Sequence, residues 1–372
     1  MKVPAAILFL AVAAAFAVAA RAAAAPQPAA RAFLVENGDS EVVLAEGNDR
    51  ARLPIASITK LMTVLLTLER ARLDDVVTVP AEATAVEGSV AGLQAGERVT
   101  VRQLLEGALV PSANDAADTL AYYLGNGSQS AFVERMNARA RALGLPDTHF
   151  VRPEGLDVGD VSSARDVTRL ARILMRRPVF RSIVREPSTT IHGTVLETRN
   201  NLLTSFPGLI GVKTGHTSAA GWSEVAAARR NGVTIYATIL GGPDESTRDV
   251  DLAALLDWGL SRYRPVVIAD PQRTYARVKT GFGRGQLALV PERRVVRPAR
   301  VGRPLVERVV VPGAAALPVR RGERIGNLRV YQSGRLVGAA PLVAARAVSS
   351  PSFPGRVGWY IGRTFHHLWT GL

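Results

Sequence analysis

The chain of 372 residues is 47% hydrophobic, has a formal net charge of +14 and contains no cysteine. Its length suits about two domains of ~150 residues with real cores, which excludes a disordered or fibrous protein. The missing thiols exclude disulfides, thiolate metal sites and a cysteine nucleophile. The charge is segregated, because from Arg264 onward 19 Lys/Arg stand against 4 Asp/Glu, giving +15, while residues 1–263 sum to −1.

In chain order, Met1-Lys2 precede an apolar run over 3–20 and an alanine cluster before Pro26. This reads as a secretory leader over 1–25 with a small-residue cleavage zone, and export follows. The competing reading is an uncleaved N-terminal anchor, since the run approaches the ~20 residues that span a bilayer. Segments 32–35 and 41–44 flank Asn37-Gly38, a hairpin signal that begins a sheet. After Pro54 a helical run through Lys60, Leu61, Val64, Leu65 and Leu68 puts Ser57 and Lys60 on one face. Helices are expected over 101–109, 114–124, 130–143 and 163–175, the last with Asp166 in capping-box position. Strands return at 209–213, then at 222–228 and 233–240 around Asn231-Gly232, and a helix over 248–262 closes the region. This is an α/β layer architecture. From about Arg264 short Val-rich runs broken by Pro and Gly indicate a small all-β domain. Over 357–372, Val357, Ile361, Phe365, Leu368 and Leu372 recur at helical spacing with Trp359, Tyr360 and Trp369 nearby. Such a helix suits an anionic membrane interface; docking on the β domain is the plainer alternative. No nucleic-acid module is recognisable, so nucleic acid is not an expected partner.

Only four of the 46 basic residues are lysine. Arginine keeps its proton at any working pH, so it cannot act as a base, whereas a buried lysine can lose its own. Lys60 falls in Ser57-x-x-Lys60 and Lys213 in Lys213-Thr214-Gly215, with Ser112-Ala113-Asn114 between them. Chance would supply all three about once in 10³ such chains. A second Lys-Thr-Gly stands at Lys279-Thr280-Gly281. Context favours Lys213, which lies on a predicted strand opening a hairpin, whereas Lys279 lies beyond the closing helix.

These residue types suggest a mechanism. A serine hydroxyl is a poor nucleophile at neutral pH, and no histidine is paired with an acid in a recognisable triad order. Lys60 therefore takes the role of base, with burial and the neighbouring Lys213 lowering its pKa. Ser112 would relay a proton to the leaving amine, and Asn114 would orient Lys60 and the substrate backbone. The backbone N–H groups of Ser57 and His216 are candidates for an oxyanion hole around an acyl-enzyme. No metal or cofactor is called for, and His149 and His192 read as structural because neither has a partner at metal-ligand spacing.

The chain resembles the penicillin-binding serine D-alanyl-D-alanine carboxypeptidases. The likeness is carried by Ala56-Ser57-Ile58-Thr59-Lys60-Leu61-Met62-Thr63, Leu143-Gly144-Leu145, Thr148-His149-Phe150, Gly155-Leu156-Asp157, Ser162-Ser163-Ala164-Arg165-Asp166, Arg199-Asn200 and Gly211-Val212-Lys213-Thr214-Gly215-His216-Thr217 with Ala220-Gly221-Trp222. The resemblance implies a β-lactamase/transpeptidase-like domain over 27–262, in which helices flank an antiparallel sheet. It also implies the basic all-β domain over 264–350 and an amphipathic anchor helix over 355–372. The implied activity removes the terminal D-alanine from peptidoglycan pentapeptide stems at the periplasmic face of the cytoplasmic membrane, with β-lactams as pseudo-substrates. Lys213 and Thr214 would bind the substrate carboxylate, with Gly215 and His216 beside them and Arg199 or Arg248 assisting. Two residues depart from the family pattern: Glu154, where a neutral residue or histidine is usual, and Ala113, where glycine is common. A D,D-endopeptidase is the nearest rival. A class A β-lactamase would need a Glu-x-x-Leu-Asn context that the chain lacks, and a non-cutting scaffold would not need the intact Ser57, Lys60, Asn114 and Lys213.

Overall fold

The computed structural model describes residues 24–359 and 361, together with the backbone of 10–12. The leader expected over 1–25 and the anchor expected over 355–372 therefore fall largely outside the described residues; 353–359 and 361 are helical. Among the described residues no helix is long and apolar enough to cross a membrane. The chain divides into two compact units, with the change at Ser261/Arg262.

The first unit is built on a five-stranded antiparallel sheet ordered Leu209–Thr217, Gly221–Arg230, Val233–Gly242, Ala32–Asn37, Val42–Gly47. Both faces are covered, so the central strands are apolar throughout rather than alternating, and Val225 to Ala228 are all 0% exposed. Helix Glu245–Ser261 lies on the face of Val35 and Ile235, and it approaches closely because a Cβ on Gly259 would stand only 2.8 Å from Ile235 Cγ2. The other face, with Leu34, Tyr236 and Leu240, packs into a core formed with helices Lys60–Arg70, Val101–Leu109, Asn114–Leu124 and Ala164–Leu174.

The expected elements are present with shifted ends, and two local devices differ from expectation. Ser57 lies in a 3₁₀ turn, Ala56–Thr59, and the α-helix starts only at Lys60. The capping box at Ser163 is half formed: Ser163 Oγ accepts from Asp166 N, but the Asp166 carboxylate turns away to accept from Asp147 N and Thr148 Oγ1. A full box does cap Val101–Leu109, through Thr100 and Gln103. The hairpin Ser188–Ile191/Thr194–Glu197 lies where no element was expected.

The second unit is mainly β, with a 3₁₀ turn at Gly281–Gly283 and the helical residues 353–359. Its larger sheet contains, in order, Leu305–Val310, Arg324–Gln332, Arg335–Ala344, Gln286–Pro291, Ala276–Thr280 and Ala314–Ala315, with the backbone of Leu10–Val12 paired to the outer edge of Leu305–Val310. Tyr263–Ala269 pairs separately with Val295–Arg300. Alternation here is clean: Val278, Leu328 and Val330 point into a small core, whereas Arg277 and Arg329 are exposed.

Candidate active site

Three segments of the first unit converge. The tight turn Ala56–Thr59 presents Ser57, half-buried, and Ala56 takes a left-handed φ of 46° to make it. The turn is crowded on two sides. A Cβ on Gly155 would stand 2.0 Å from Ala56 O, and one on Gly215 would stand 2.7 Å from Ile55 O and 3.2 Å from Ile58 N. Gly215 is therefore needed for the edge strand to lie against the nucleophile turn.

Lys60 is completely buried at the start of its helix, and its Nζ donates to Ser57 Oγ at 2.8 Å, Asn114 Oδ1 at 2.6 Å and the Glu154 carbonyl at 3.0 Å. Burial pulls its pKa down to about 8, against the opposing pull of Glu154, Asp118, Asp115 and Asp160. Burial is thus the main cause, rather than the second cation that sequence reasoning paired with it. The repulsion between the two lysines is expressed at Lys213, which burial first and Lys60 second push well below the ordinary lysine value.

The second segment follows helix Val101–Leu109. Ser112 adopts φ 65°, a strained choice for a residue with a side chain, and its Oγ accepts from Lys213 Nζ at 2.8 Å. Asn114 opens the next helix and is held from its other end, since Nδ2 donates to the Glu87 carbonyl at 2.6 Å. Beside it the Asp115 carboxylate accepts from the backbone N–H groups of Ala91, Gly92 and Leu93, fastening that loop to the helix start.

The third segment is the edge strand Leu209–Thr217. It buries Lys213 (2% exposed) and Thr214 (7%), and leaves His216 exposed and stacked on Trp222 with ring centroids 4.0 Å apart. Arg199 is exposed and lines a small cleft with Asn200, Lys213 and Thr214. Arg248 is placed differently. It is 1% exposed and faces the carboxylates of Glu224 at 3.3 Å, Glu245 at 3.6 Å and Asp249 at 2.5 Å, with its guanidinium 5.6 Å from the Trp222 ring. Arg248 thus packs against Trp222, which in turn stacks on His216, and it is one of the cations that act on Lys213. Lys279 is an exposed residue of the second unit, and Lys213 is the Lys-Thr-Gly lysine that meets Ser112.

Sequence reasoning missed the acidic surroundings of Lys60. Asp115, Asp118, Glu154 and Asp160 are each no more than 2% exposed. The signal was present in Asn114–Leu124, an otherwise apolar helix carrying two aspartates, one of them a helical turn beyond Asn114.

The family model for D-alanyl-D-alanine carboxypeptidase matches residues 19–244. The chain is 32% identical to D-alanyl-D-alanine carboxypeptidase DacC of Escherichia coli (strain K12), over 98% of this chain and 95% of that protein. It is 28% identical to DacF of Bacillus subtilis (strain 168), covering 87% and 86%. Among solved structures, penicillin binding protein 5 from Haemophilus influenzae is 26% identical with a TM-score of 0.64, covering 88% of this chain and all of that one. The D-alanyl-D-alanine carboxypeptidase from Mycobacterium tuberculosis H37Rv is 35% identical with a TM-score of 0.62, covering 65% and 95%. The chain, with its serine and lysines drawn together on this fold, belongs to the D-alanyl-D-alanine carboxypeptidase family and is a serine hydrolase of that class.

Proposed function

We propose that the chain removes the terminal D-alanine of peptidoglycan pentapeptide stems through an acyl-enzyme on Ser57, and that β-lactams acylate the same hydroxyl. The observation that carries this reading is the 2.8 Å contact between Ser57 Oγ and the Nζ of a buried lysine whose pKa lies near 8. Neutral Lys60 takes the Ser57 proton as Oγ attacks the penultimate carbonyl carbon. The resulting oxyanion is held by the backbone N–H groups of Ser57 and His216. Collapse breaks the amide bond, and the proton taken by Lys60 passes through the hydroxyl of Ser112, which is held by Lys213, to the leaving amine, so that Ser112 keeps its hydroxyl and Lys60 is neutral again. Water then attacks the ester, with Lys60 again taking the proton, and releases the shortened stem.

Lys213 and Thr214 bind the terminal carboxylate, and Arg199 adds an exposed guanidinium at their side. Arg248 contributes by supporting Trp222. In this reading the catalytic domain covers 27–262 and the basic all-β domain 264–350. Export through the leader and attachment of the 355–372 helix to an anionic membrane surface complete the reading, and the basic second unit suits such a location.

Mass spectrometry of pentapeptide muropeptides exposed to the purified chain tests this directly. Loss of one alanine is expected. Cleaved crosslinks instead would make the chain an endopeptidase, and unchanged muropeptides with rapid β-lactam turnover would make it a lactamase.

A further inference from the structure

Two buried carboxylates beside Lys60 have no part in the acylation scheme. Asp118 lies one turn beyond Asn114 on the same helix, and Glu154 sits on the segment whose peptide oxygen accepts from Lys60 Nζ; they are 2% and 0% exposed. Their side chains meet. Neither Glu154 oxygen has a hydrogen-bond donor when both groups are taken as ionised. Two bare carboxylates in contact repel, and a single proton between them supplies the missing donor. Arg152 Nε stands 2.5 Å from Glu154 Oε1, out of line for a hydrogen bond, and balances one negative charge.

The other groups around the pair come from each packed element. They are Lys60 at the start of the nucleophile helix, Asp115 and Tyr122 on the helix of Asp118, and Asp160 on the segment of Glu154. Glu82 lies beyond Tyr122, and Gln129 Nε2 donates to Asp118 Oδ1 at 3.1 Å. Burial and the neighbouring Glu154 raise the pKa of Asp118, in keeping with a proton held there.

We propose that Asp118 and Glu154 form a proton-sharing pair that sets the proton affinity of Lys60, and so the pH at which the enzyme acquires its base. With one proton the pair carries a single negative charge. As that proton leaves, a second negative charge appears beside Lys60 and holds the ammonium form, so neutral Lys60 emerges at higher pH than burial alone would give. Both are positioning residues that act through Lys60, and the inference rests on Lys60 being the base.

The test is the pH profile of acylation by a fluorescent penicillin, measured on the full chain and on Glu154→Gln, Asp118→Asn and Arg152→Met. Either amide leaves one carboxylate whose charge no longer grows with pH, so the midpoint of the rising limb moves down by about one pH unit. Arg152→Met removes a half-exposed cation and moves the midpoint up. These opposite displacements are the expected result, and a purely structural role would lower the plateau without moving the midpoint. Midpoints that coincide with the parent's overturn the proposal. Should Glu154→Gln fail to fold, Asp118→Asn and Arg152→Met still decide it through their opposite signs. A parent chain that is never acylated at any pH overturns instead the reading of Ser57 and Lys60, and the pair's role with it.

Discussion

The two units treat charge in opposite ways. The first buries Lys60, Lys213, Asp115, Asp118, Glu154, Asp160, Glu224 and Arg248, each no more than 2% exposed, whereas among the described residues of the second unit the only polar side chain that is buried is Thr280. Burying an ion costs several kcal/mol unless it is paired or neutralised. The first unit accepts that cost where protonation states matter, around one serine and two lysines. The second carries a far larger net charge yet leaves it in solvent, where it is inexpensive.

The largest effect that could break this contrast lies at the base. Lys60→Arg keeps the charge but removes a proton that can be lost, so penicillin acylation should fall by about 10²–10⁴; a rate near the parent's would remove Lys60 from its role. Next comes Arg248→Met, which leaves Glu224 buried without its main cation. Urea unfolding above the Glu224 pKa of about 8, where its carboxylate is charged, should show a loss of about 3–5 kcal/mol, largely recovered in the double variant with Glu224→Gln.

A third effect is pH dependence. Burial raises the folded-state pKa of Glu224 to about 8 from 4.5, and raises that of Asp118 as well. Their protonated forms therefore contribute stability that is fully present near pH 4 and lost as pH rises toward 8. The melting temperature of the first unit should fall from pH 5 to pH 8, while that of the second stays nearly flat; calorimetry on the full chain separates the two transitions. The smallest effect is expected at Arg273, half-exposed and paired with Glu307 at 2.7 Å. Arg273→Met should cost the second unit less than about 1 kcal/mol. A loss as large as that at Arg248 would mean that the second unit also depends on ion pairing.

Much of the first unit was legible because its signals are local. The Asn231-Gly232 turn, with φ of 53° and 80°, joins its two strands where expected, and helices Val101–Leu109 and Asn114–Leu124 match the apolar period. What misled were places where a side chain has a better distant partner than its local one. Asp166 leaves the capping position for Asp147 and Thr148. The acidic pair was only half legible, because Asp118 stands out on its helix whereas its meeting with Glu154, 36 residues along the chain, depends on the fold.

The sequence by itself determined the order and spacing of Ser57, Lys60, Ser112, Asn114 and Lys213, the sheet and helix periods, and the division of charge between the two halves. Those depend on composition and on neighbours within a turn or two of chain. Only the tertiary structure decided that Lys60 meets a carbonyl 94 residues away and that Lys213 meets a serine 101 residues away. It alone decided that burial, more than a neighbouring cation, makes Lys60 able to lose its proton. Proton affinity depends on the water and charge within a few ångströms, and those neighbours come from segments that only the folded chain brings together.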